Sequence, residues 1–328
     1  MTTASTNSSR PTRVGYFLPA EEHGPRELVA QGRLAAQAGF DLLAVSDHFH
    51  PWTREQGQSP FVWSVLGALS EATDLPLMTA VTCPTTRVHP VIVAQAAATV
   101  ALQTGGRFTL GVGTGEALNE HVVTDVWPPT DVRLEMLEEA VDVMRRLWSG
   151  ETVHHQGMHY RVAEATLYTR PDEPPPVYVS AYGTKAAALA GRIGDGLVDV
   201  SPDREVVEAY REGGGRGPAV YSTKLCWDPD EQEARRTAHR LWAATTLPGE
   251  LGALLPSPRH FEQAASLVTE EQVAEKFSTG PDAGTHATKI REGLDAGFDT
   301  ILISQIGEAG PSFFEFAGRE LLPLLRGA

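Results

Sequence analysis

A short apolar run that ends in polar and aromatic side chains occupies residues 42–52, which read LLAVSDHFHPW. The aliphatic residues at 42–45 predict a buried strand, because a continuous apolar run of this length is typical of a strand covered on both faces. Asp47, His48 and Trp52 follow at its end. Polar groups at the end of a buried strand are typical of an active site, but a helix cap and a surface histidine explain the same residues equally well.

Further apolar runs of this kind alternate with helical patterns along the chain. The clearest amphipathic helix is predicted over residues 134–147, where apolar side chains recur every three or four positions. Strands that alternate with helices form parallel sheets joined by right-handed crossovers, and eight such units favour a closed (β/α)8 TIM barrel over an open sheet. The predicted strands cover residues 14–18, 42–46, 77–81, 108–112, 177–180, 196–200, 220–226 and 300–304.

Two segments lie outside the eight strand–helix units of a minimal barrel. Residues 152–168 alternate in polarity and predict a hairpin, and residues 247–272 predict an insertion over the barrel mouth. We expect a tail over residues 1–13, which are polar and lack the apolar middle of a signal peptide, and one barrel domain over residues 14–328.

Composition narrows the class of protein. The chain has 328 residues and a formal net charge of -15, which argues against nucleic acid and against anionic membrane surfaces as partners. The two cysteines, Cys83 and Cys226, are too few for a disulfide framework, so we expect a reducing cytoplasm. No apolar run approaches the length of about 20 residues that a membrane span needs. Composition does not by itself identify a partner; the small-molecule substrate expected below follows from the residues at the strand ends.

In a parallel barrel the loops that follow the strands gather at one face, so the residues after each predicted strand are expected to lie together. Each of them alone is most simply a cap or a turn residue. Taken together they favour an active site, above all for His48 and Glu116. The residues that follow the predicted strands are Glu21, Glu22, Asp47, His48, Trp52, Thr82, Cys83, Pro84, Gly113, Thr114, Gly115, Glu116, Asn119, Ser180, Ala181, Tyr182, Gly183, Ser201, Asp203, Trp227 and Gln305.

Two other kinds of site are considered at these strand ends. The run GVGTGE at 111–116 is similar to a dinucleotide fingerprint, but Glu116 stands where the third glycine belongs, so we interpret the glycines as room for a flat ligand. His48 and His50 would suit a metal, but the later strands end in Ser180, Ser201 and Gln305 rather than histidine, which argues against a metal site. Residues 180–183 before a predicted helix are either a phosphate site or an ordinary turn.

Three motifs carry a family resemblance. SDHFHPW at 46–52, GVGTGEALNE at 111–120 and AGRIGDG at 190–196 resemble the F420-dependent glucose-6-phosphate dehydrogenase family of the luciferase-like oxidoreductases. The resemblance extends from about residue 14 to the C-terminus. It implies a (β/α)8 barrel that forms a homodimer and binds the deazaflavin coenzyme F420.

The resemblance also implies roles for single residues. His48 is the base that takes the proton of a substrate hydroxyl, Trp52 packs beside the ring, and Glu116 is the acid near N1 of the deazaflavin. A non-prolyl cis peptide is implied between Ala80 and Val81. Cofactor contacts are implied for Asp47, Ala80, Val81, Cys83, Thr114, Asn119, Ser180, Ala181, Tyr182 and Gly183. Substrate contacts are assigned to Glu21, Trp52, Ser201 and Lys276.

The chain departs from the family where the sugar phosphate is held. By position, Asp203 and Gly252 replace two lysines, Lys276 replaces an arginine and Val200 replaces a threonine. Cys83 replaces a threonine that contacts the cofactor. An acid facing a phosphate repels it, so glucose 6-phosphate is not the expected substrate.

The expected function is hydride transfer between C5 of the deazaflavin and a small organic substrate. The direction is open, so a dehydrogenase and an F420H2-dependent reductase of a specialised-metabolism intermediate are both compatible with these residues. An FMN-dependent luciferase-like monooxygenase and a binding barrel without activity are the alternatives.

Overall fold

A computed structural model describes residues 12–327 of the chain, so most of the tail predicted over 1–13 lies outside the described residues, as does residue 328. The described part forms eleven strands. The strands are β1 (Arg13–Leu18), β2 (Leu43–Val45), β3 (Leu77–Thr79), β4 (Phe108–Val112), β5 (Val153–Gln156), β6 (Arg161–Ala165), β7 (Val177–Ser180), β8 (Gly196–Asp199), β9 (Ala219–Cys226), β10 (Ser278–Thr279) and β11 (Thr300–Gln305).

Helices follow the strands and cover the outside of the sheet. The helices are α1 (Pro25–Ala38), α2 (Val62–Ser70), α3 (Pro90–Gln103), α4 (Ala117–Glu120), α5 (Thr130–Trp148), α6 (Thr184–Ile193), α7 (Arg204–Glu212), α8 (Glu231–Trp242), α9 (Leu251–Leu254), α10 (Pro258–Ala265), α11 (Glu270–Lys276), α12 (Ala283–Ala296), α13 (Pro311–Phe316) and α14 (Leu322–Arg326). Single turns of other helix types lie at 121–123, 243–246 and 317–321.

Eight parallel strands close into a barrel. They pair in the order β1, β2, β3, β4, β7, β8, β9 and β11, and β11 pairs back onto β1. β10 pairs in parallel with the last two residues of β9, and β5 and β6 form an antiparallel hairpin. The predicted (β/α)8 barrel and the predicted hairpin are therefore confirmed.

The strands form because their side chains are apolar on both faces. The outward side chains pack against the helices, and the inward ones fill the barrel floor with Phe17, Leu42, Met78, Val198 and Leu302. Filling the floor leaves the other end of the barrel, where the strands finish, as the place for a ligand.

Glycine ends two of the helices that lead into barrel strands. Gly39 and Gly297 have φ values of 92° and 105°, and each donates its backbone N–H to the last turn of the preceding helix. A left-handed residue of this kind is strongly favoured as glycine, because other side chains are strained there. Both caps were predicted from the sequence.

The insertion predicted over the mouth contains α9, α10 and α11. Phe261 of α10 packs edge-on against Trp52 at a centroid distance of 5.0 Å, which joins the insertion to the loop after β2. Among residues 12–327 no helix is both long and apolar enough to cross a membrane.

Candidate active site

His48 lies between two carboxylates at the mouth of the barrel. Its Nδ1 is 3.4 Å from Oε1 of Glu21, which follows β1, and its Nε2 is 4.0 Å from Oε2 of Glu116, which follows β4. Trp52 meets the imidazole edge-on at a centroid distance of 5.2 Å. The His48 and Glu116 side chains remain 12% and 19% exposed, so a ligand can reach both.

Glu21 is fixed by a short chain of hydrogen bonds. Ser46 Oγ donates to Glu21 Oε2 at 2.8 Å, and the backbone N–H of Ala20 donates to Ser46 Oγ at 2.9 Å. One carboxylate oxygen is thereby bound to the protein while the other faces His48. The arrangement suits a carboxylate that orients an imidazole and stabilises its charged form.

Asn119 connects the loop of Glu116 to the loop of His48. Its Nδ2 donates to Glu116 Oε2 at 3.2 Å, and its Oδ1 accepts hydrogen bonds from the backbone N–H groups of Phe49 and His50 at 2.8 and 3.1 Å. Asn119 was assigned to the cofactor, and that contact stays a prediction. In the structure its amide joins the loop after β2 to the loop after β4.

Arg133 of α5 holds the loop after β4 from behind. Its guanidinium donates to the Gly115 carbonyl at 3.1 Å and to Thr114 Oγ1 at 3.4 Å, and it lies 4.3 Å from the centre of the Trp127 ring. Burial lowers the pKa of this guanidinium. No pattern in the sequence indicates this role, because Arg133 lies in a helix with an ordinary amphipathic pattern.

Two glycines of the loop allow close packing against the neighbouring strand. A Cβ on Gly111 would lie 2.0 Å from the carbonyl oxygen of Thr79, and one on Gly113 would lie 2.8 Å from Cγ2 of Val81. This packing alone requires a small residue at both positions, and their role as room for a flat ligand stays a prediction. Gly115 differs from them, since its φ of 83° requires a glycine at the turn before Glu116.

Asp47 is part of a buried ion cluster behind His48. Thr82 Oγ1 donates to its Oδ2 at 2.7 Å, and the Arg87 guanidinium donates to its Oδ1 at 3.0 Å. Arg87 also lies 3.7 Å from Oε1 of Glu120, and its backbone N–H donates to Oε2 at 2.6 Å. Burial raises the pKa of Glu120 to about 7. A cofactor contact of Asp47 stays a prediction.

The other residues assigned to the cofactor follow β3 and β7. The Ala80–Val81 peptide bond is cis, as the resemblance implies. The Cys83 thiol is buried, which raises its pKa. A Cβ on Gly113 would lie 3.8 Å from Cys83 Sγ and 3.7 Å from Ser180 Cβ, so these two loops meet.

Residues 180–183 lead into α6, whose first residue, Thr184, matches the predicted start of a helix. Ser180 is half-buried and Ala181 is buried. Tyr182 is 69% exposed and lies on the rim, followed by Gly183. The phosphate site and the ordinary turn are both compatible with this geometry.

The region where the family holds a sugar phosphate contains few cations. Ser201 is exposed, and Asp203 accepts a hydrogen bond from the Glu205 backbone N–H at 2.8 Å as the cap of α7. Gly252 lies in α9 with open space around it. Lys276 remains, with its Nζ donating to the Thr245 carbonyl.

Sequence reasoning missed Lys224 of β9, which lies near Glu21 and Glu22 at the mouth. Lys224 Nζ lies 4.1 Å from the centre of the Trp242 ring and 5.3 Å from that of Phe17. Trp242 Nε1 donates to Glu22 Oε1 at 2.5 Å, and the Gly307 backbone N–H donates to Oε2 at 2.8 Å. Burial raises the pKa of Glu22 to about 7 and lowers that of Lys224 to about 8. A single lysine inside an otherwise uncharged strand was the signal that could have revealed it.

Within the part of the chain that the structure describes, no three histidine, cysteine or acidic side chains are placed to hold a metal ion. His50, considered as a ligand, instead hydrogen-bonds through Nδ1 to the Leu118 carbonyl at 3.1 Å.

Comparisons with known proteins agree on one family. A family model described as luciferase-like monooxygenase matches residues 10–300. An F420-dependent glucose-6-phosphate dehydrogenase of Segniliparus rotundus is 38% identical over 97% of this chain and 99% of its own length. The same enzyme of Intrasporangium calvum is 39% identical over 96% of this chain and 99% of its own. The solved structure of an F420-dependent secondary alcohol dehydrogenase with an F420-acetone adduct is 32% identical, with a TM-score of 0.89 over 97% of this chain and 100% of that one.

Proposed function

The chain belongs to the luciferase-like family and groups with its F420-dependent dehydrogenases, and from this premise we propose that it transfers hydride between coenzyme F420 and a small organic substrate. The observation that carries the proposal is His48, whose two ring nitrogens each face a carboxylate at the mouth of the barrel. A proton acceptor that is oriented on one side and open on the other is what oxidation of an alcohol requires.

The residues present fit a deazaflavin. His48 and Glu116 converge from different strands and both remain accessible, and the adjoining surface is built from small side chains such as Cys83 and Ser180. F420, when bound, accepts or donates hydride at C5. We assign its contacts to the loops after β2, β3, β4 and β7, at the residues that the sequence predicted.

The protein's own contribution is proton management. In the oxidative direction His48 Nε2 takes the proton of the substrate hydroxyl, and Glu21 at Nδ1 stabilises the imidazolium that results. Glu116, held by Asn119, carries a proton on the other side of the reaction centre. In the reductive direction the same groups move the protons the other way, as an F420H2-dependent reductase requires. General acid–base assistance of this kind contributes roughly 10²- to 10⁴-fold in rate.

The relatives from Segniliparus rotundus and Intrasporangium calvum are named for glucose 6-phosphate, but we propose a different substrate for this chain. Asp203 places a carboxylate where the family has a lysine, and its side chain is engaged as the cap of α7. Gly252 provides no side chain in place of the second lysine. A phosphate that meets one lysine and one added carboxylate is held too weakly to be selected.

Titration of the apoprotein with F420 and with FMN tests which cofactor binds. The change in the fluorescence of each ligand reports its binding. We expect F420 to bind at least about tenfold more tightly than FMN, a difference of about 1.4 kcal/mol. Tight binding of FMN without binding of F420 would establish the monooxygenase alternative instead.

A panel of secondary alcohols and ketones, scored by the absorbance of F420, then identifies a turnover substrate. His48→Ala and Glu116→Gln should each lower its kcat by about 10² or more while F420 affinity changes little, because both residues act on protons. Unchanged turnover in both variants would contradict the assignment. A homodimer in the cytoplasm stays our prediction, which sedimentation of the purified protein and cell fractionation would check.

A further inference from the structure

A lysine ammonium group lies on the inner face of the barrel at its mouth. Val220 belongs to the barrel floor, and because side chains alternate along a strand, Lys224 faces inward as well. Its partner on the adjacent strand β11 is Ser304, which is in phase with the inward-facing Leu302. The two polar side chains therefore stand side by side above the floor.

Both groups lack hydrogen-bond acceptors in the described chain. Within residues 12–327, the half-buried Lys224 forms no ion pair and its Nζ has no hydrogen bond, whereas Ser304 Oγ is fully buried and unpartnered. Buried hydroxyl groups are nearly always paired in folded proteins, so the unpartnered Ser304 Oγ beside an ammonium group without an acceptor indicates a ligand that supplies the acceptors.

The surroundings favour an anion. The rings of Trp242 and Phe17 flank the ammonium and provide attraction to it but no acceptor. Three charged groups surround it. Glu21 is engaged by Ser46 and His48, and Glu22 by Trp242 and Gly307. Lys276, whose Nζ donates to the Thr245 carbonyl, adds a second positive charge.

From this geometry we propose that Lys224 and Ser304 form a subsite for a substrate carboxylate, so that the substrate is a hydroxy acid or the corresponding keto acid. The inference rests on the proposed oxidoreductase function and names the substrate class of that same site. A carboxylate carries a single charge and two acceptor oxygens, which matches one ammonium and one hydroxyl. The subsite lies inside the barrel, apart from Asp203 and Gly252, and so is compatible with loss of the phosphate contacts there.

Calorimetric titration of the F420-loaded protein with butyrate and with its neutral isostere butyramide tests the subsite. We expect butyrate to bind about tenfold more tightly, as a charge-assisted hydrogen bond allows. Lys224→Met should remove the difference, and the matched control Lys289→Met, on the outside of α12, should retain it. The preference should also fade as pH rises above about 8, where Lys224 loses its proton. Equal affinity of the two ligands for the wild-type protein, or an unchanged preference in Lys224→Met, would overturn the proposal.

Two further measurements distinguish loss of the carboxylate subsite from misfolding and from loss of F420 binding. Lys224→Arg retains a cation on a similar stem and should preserve at least part of the preference for butyrate, whereas a variant that merely misfolds would lose F420 binding too. F420 affinity is therefore measured in every sample. Normal F420 binding without a butyrate preference refutes the subsite alone, and absence of F420 binding by the wild-type protein refutes both the proposed function and this inference.

Discussion

His48 faces two carboxylates, and each is held from behind by a different part of the chain. Ser46 fixes Glu21, and Asn119 fixes Glu116 while also binding the backbone of the His48 loop. The separation of the three groups therefore depends on two hydrogen-bonded supports rather than on long, free side chains. This is how a site on loops keeps the geometry that proton transfer needs.

The variant Glu21→Gln distinguishes a role of Glu21 in orienting and stabilising the His48 imidazole from a role in binding F420. The amide can still accept from Ser46, but it no longer offers a charge to His48 Nδ1, so the imidazolium formed during oxidation is less stable. We expect kcat for the alcohol to fall by about 100-fold with little change in F420 affinity. Stopped-flow absorbance of F420 measures the first quantity and fluorescence titration the second.

The control for this variant is Glu208→Gln, which removes an exposed carboxylate from α7. It should leave both quantities unchanged. A wild-type rate in Glu21→Gln would mean that Glu21 binds Ser46 for structural reasons and takes no part in the reaction.

The sequence allowed His48, Glu116 and Glu21 to be selected because each follows a predicted strand directly. It did not indicate Arg87 or Arg133, since their partners lie far away along the chain and no local pattern marks such a contact. Lys224 was not predicted for another reason, because it lies within a strand, whereas the expected site residues follow the strand ends.

One buried arginine joins three of the loops that form the barrel mouth. Arg87 lies in the loop after β3 and contacts Asp47 after β2 and Glu120 of α4 after β4. Its side chain is only 9% exposed, so both ion pairs are largely removed from water. The relative position of these loops, on which the site depends, is therefore tied to one guanidinium.

Arg87→Met should destabilise the fold strongly, because it leaves Asp47 and Glu120 buried without their cation. We expect a loss of about 3–5 kcal/mol in the free energy of unfolding, measured by urea denaturation. The double variant Arg87→Met, Glu120→Gln should recover part of the loss, since one of the two stranded carboxylates is then neutral.

Arg54→Met provides the comparison, since Arg54 pairs with Glu262 at 2.6 Å but is 78% exposed. Its loss should cost less than about 1 kcal/mol. Equal effects of the Arg54 and Arg87 variants would show that burial of the cluster has no energetic consequence.

The elements themselves were largely predictable. All eight barrel strands occur where apolar runs predicted them, because a buried parallel strand must be apolar on both faces. Their ends were less certain: regular pairing of β3 stops at Thr79, and Thr82 rejoins β4 by an isolated bridge to Val112. Backbone hydrogen bonding decides such ends, and side-chain pattern does not report it.

Several buried acidic side chains lie together at the mouth of the barrel. Burial raises the pKa of Glu22, Glu120 and Asp199 to about 7 in each case. A barrel mouth gathers the ends of eight strands, and acids that are scattered along the sequence are thereby brought into one partly dehydrated region. The sequence reveals the acids but not their burial, which depends on the closed barrel and on the insertion above it.

These acids make stability depend on pH in a defined direction. A carboxyl with a raised pKa binds a proton in the folded state that the unfolded chain has already released. Its contribution to stability is fully present below about pH 4 and is lost as pH rises through about 7. Asp199 is the clearest case, because its Oδ1 accepts from the Val200 and Ser201 backbone N–H groups while its buried Oδ2 has no partner among the described residues.

Asp199→Asn tests this argument. The amide keeps the Oδ1 acceptor and stays neutral at all pH values, so we expect its stability relative to the wild-type protein to rise by about 3 kcal/mol between pH 5 and pH 8. Urea denaturation at several pH values gives the difference, with the exposed Asp172→Asn as a control that should follow the wild-type protein. A wild-type slope in Asp199→Asn would show that Asp199 is ionised throughout this range and that its unpartnered oxygen is solvated. A flatter slope that still falls with pH is the expected result, because Glu22 and Glu120 remain and act in the same direction.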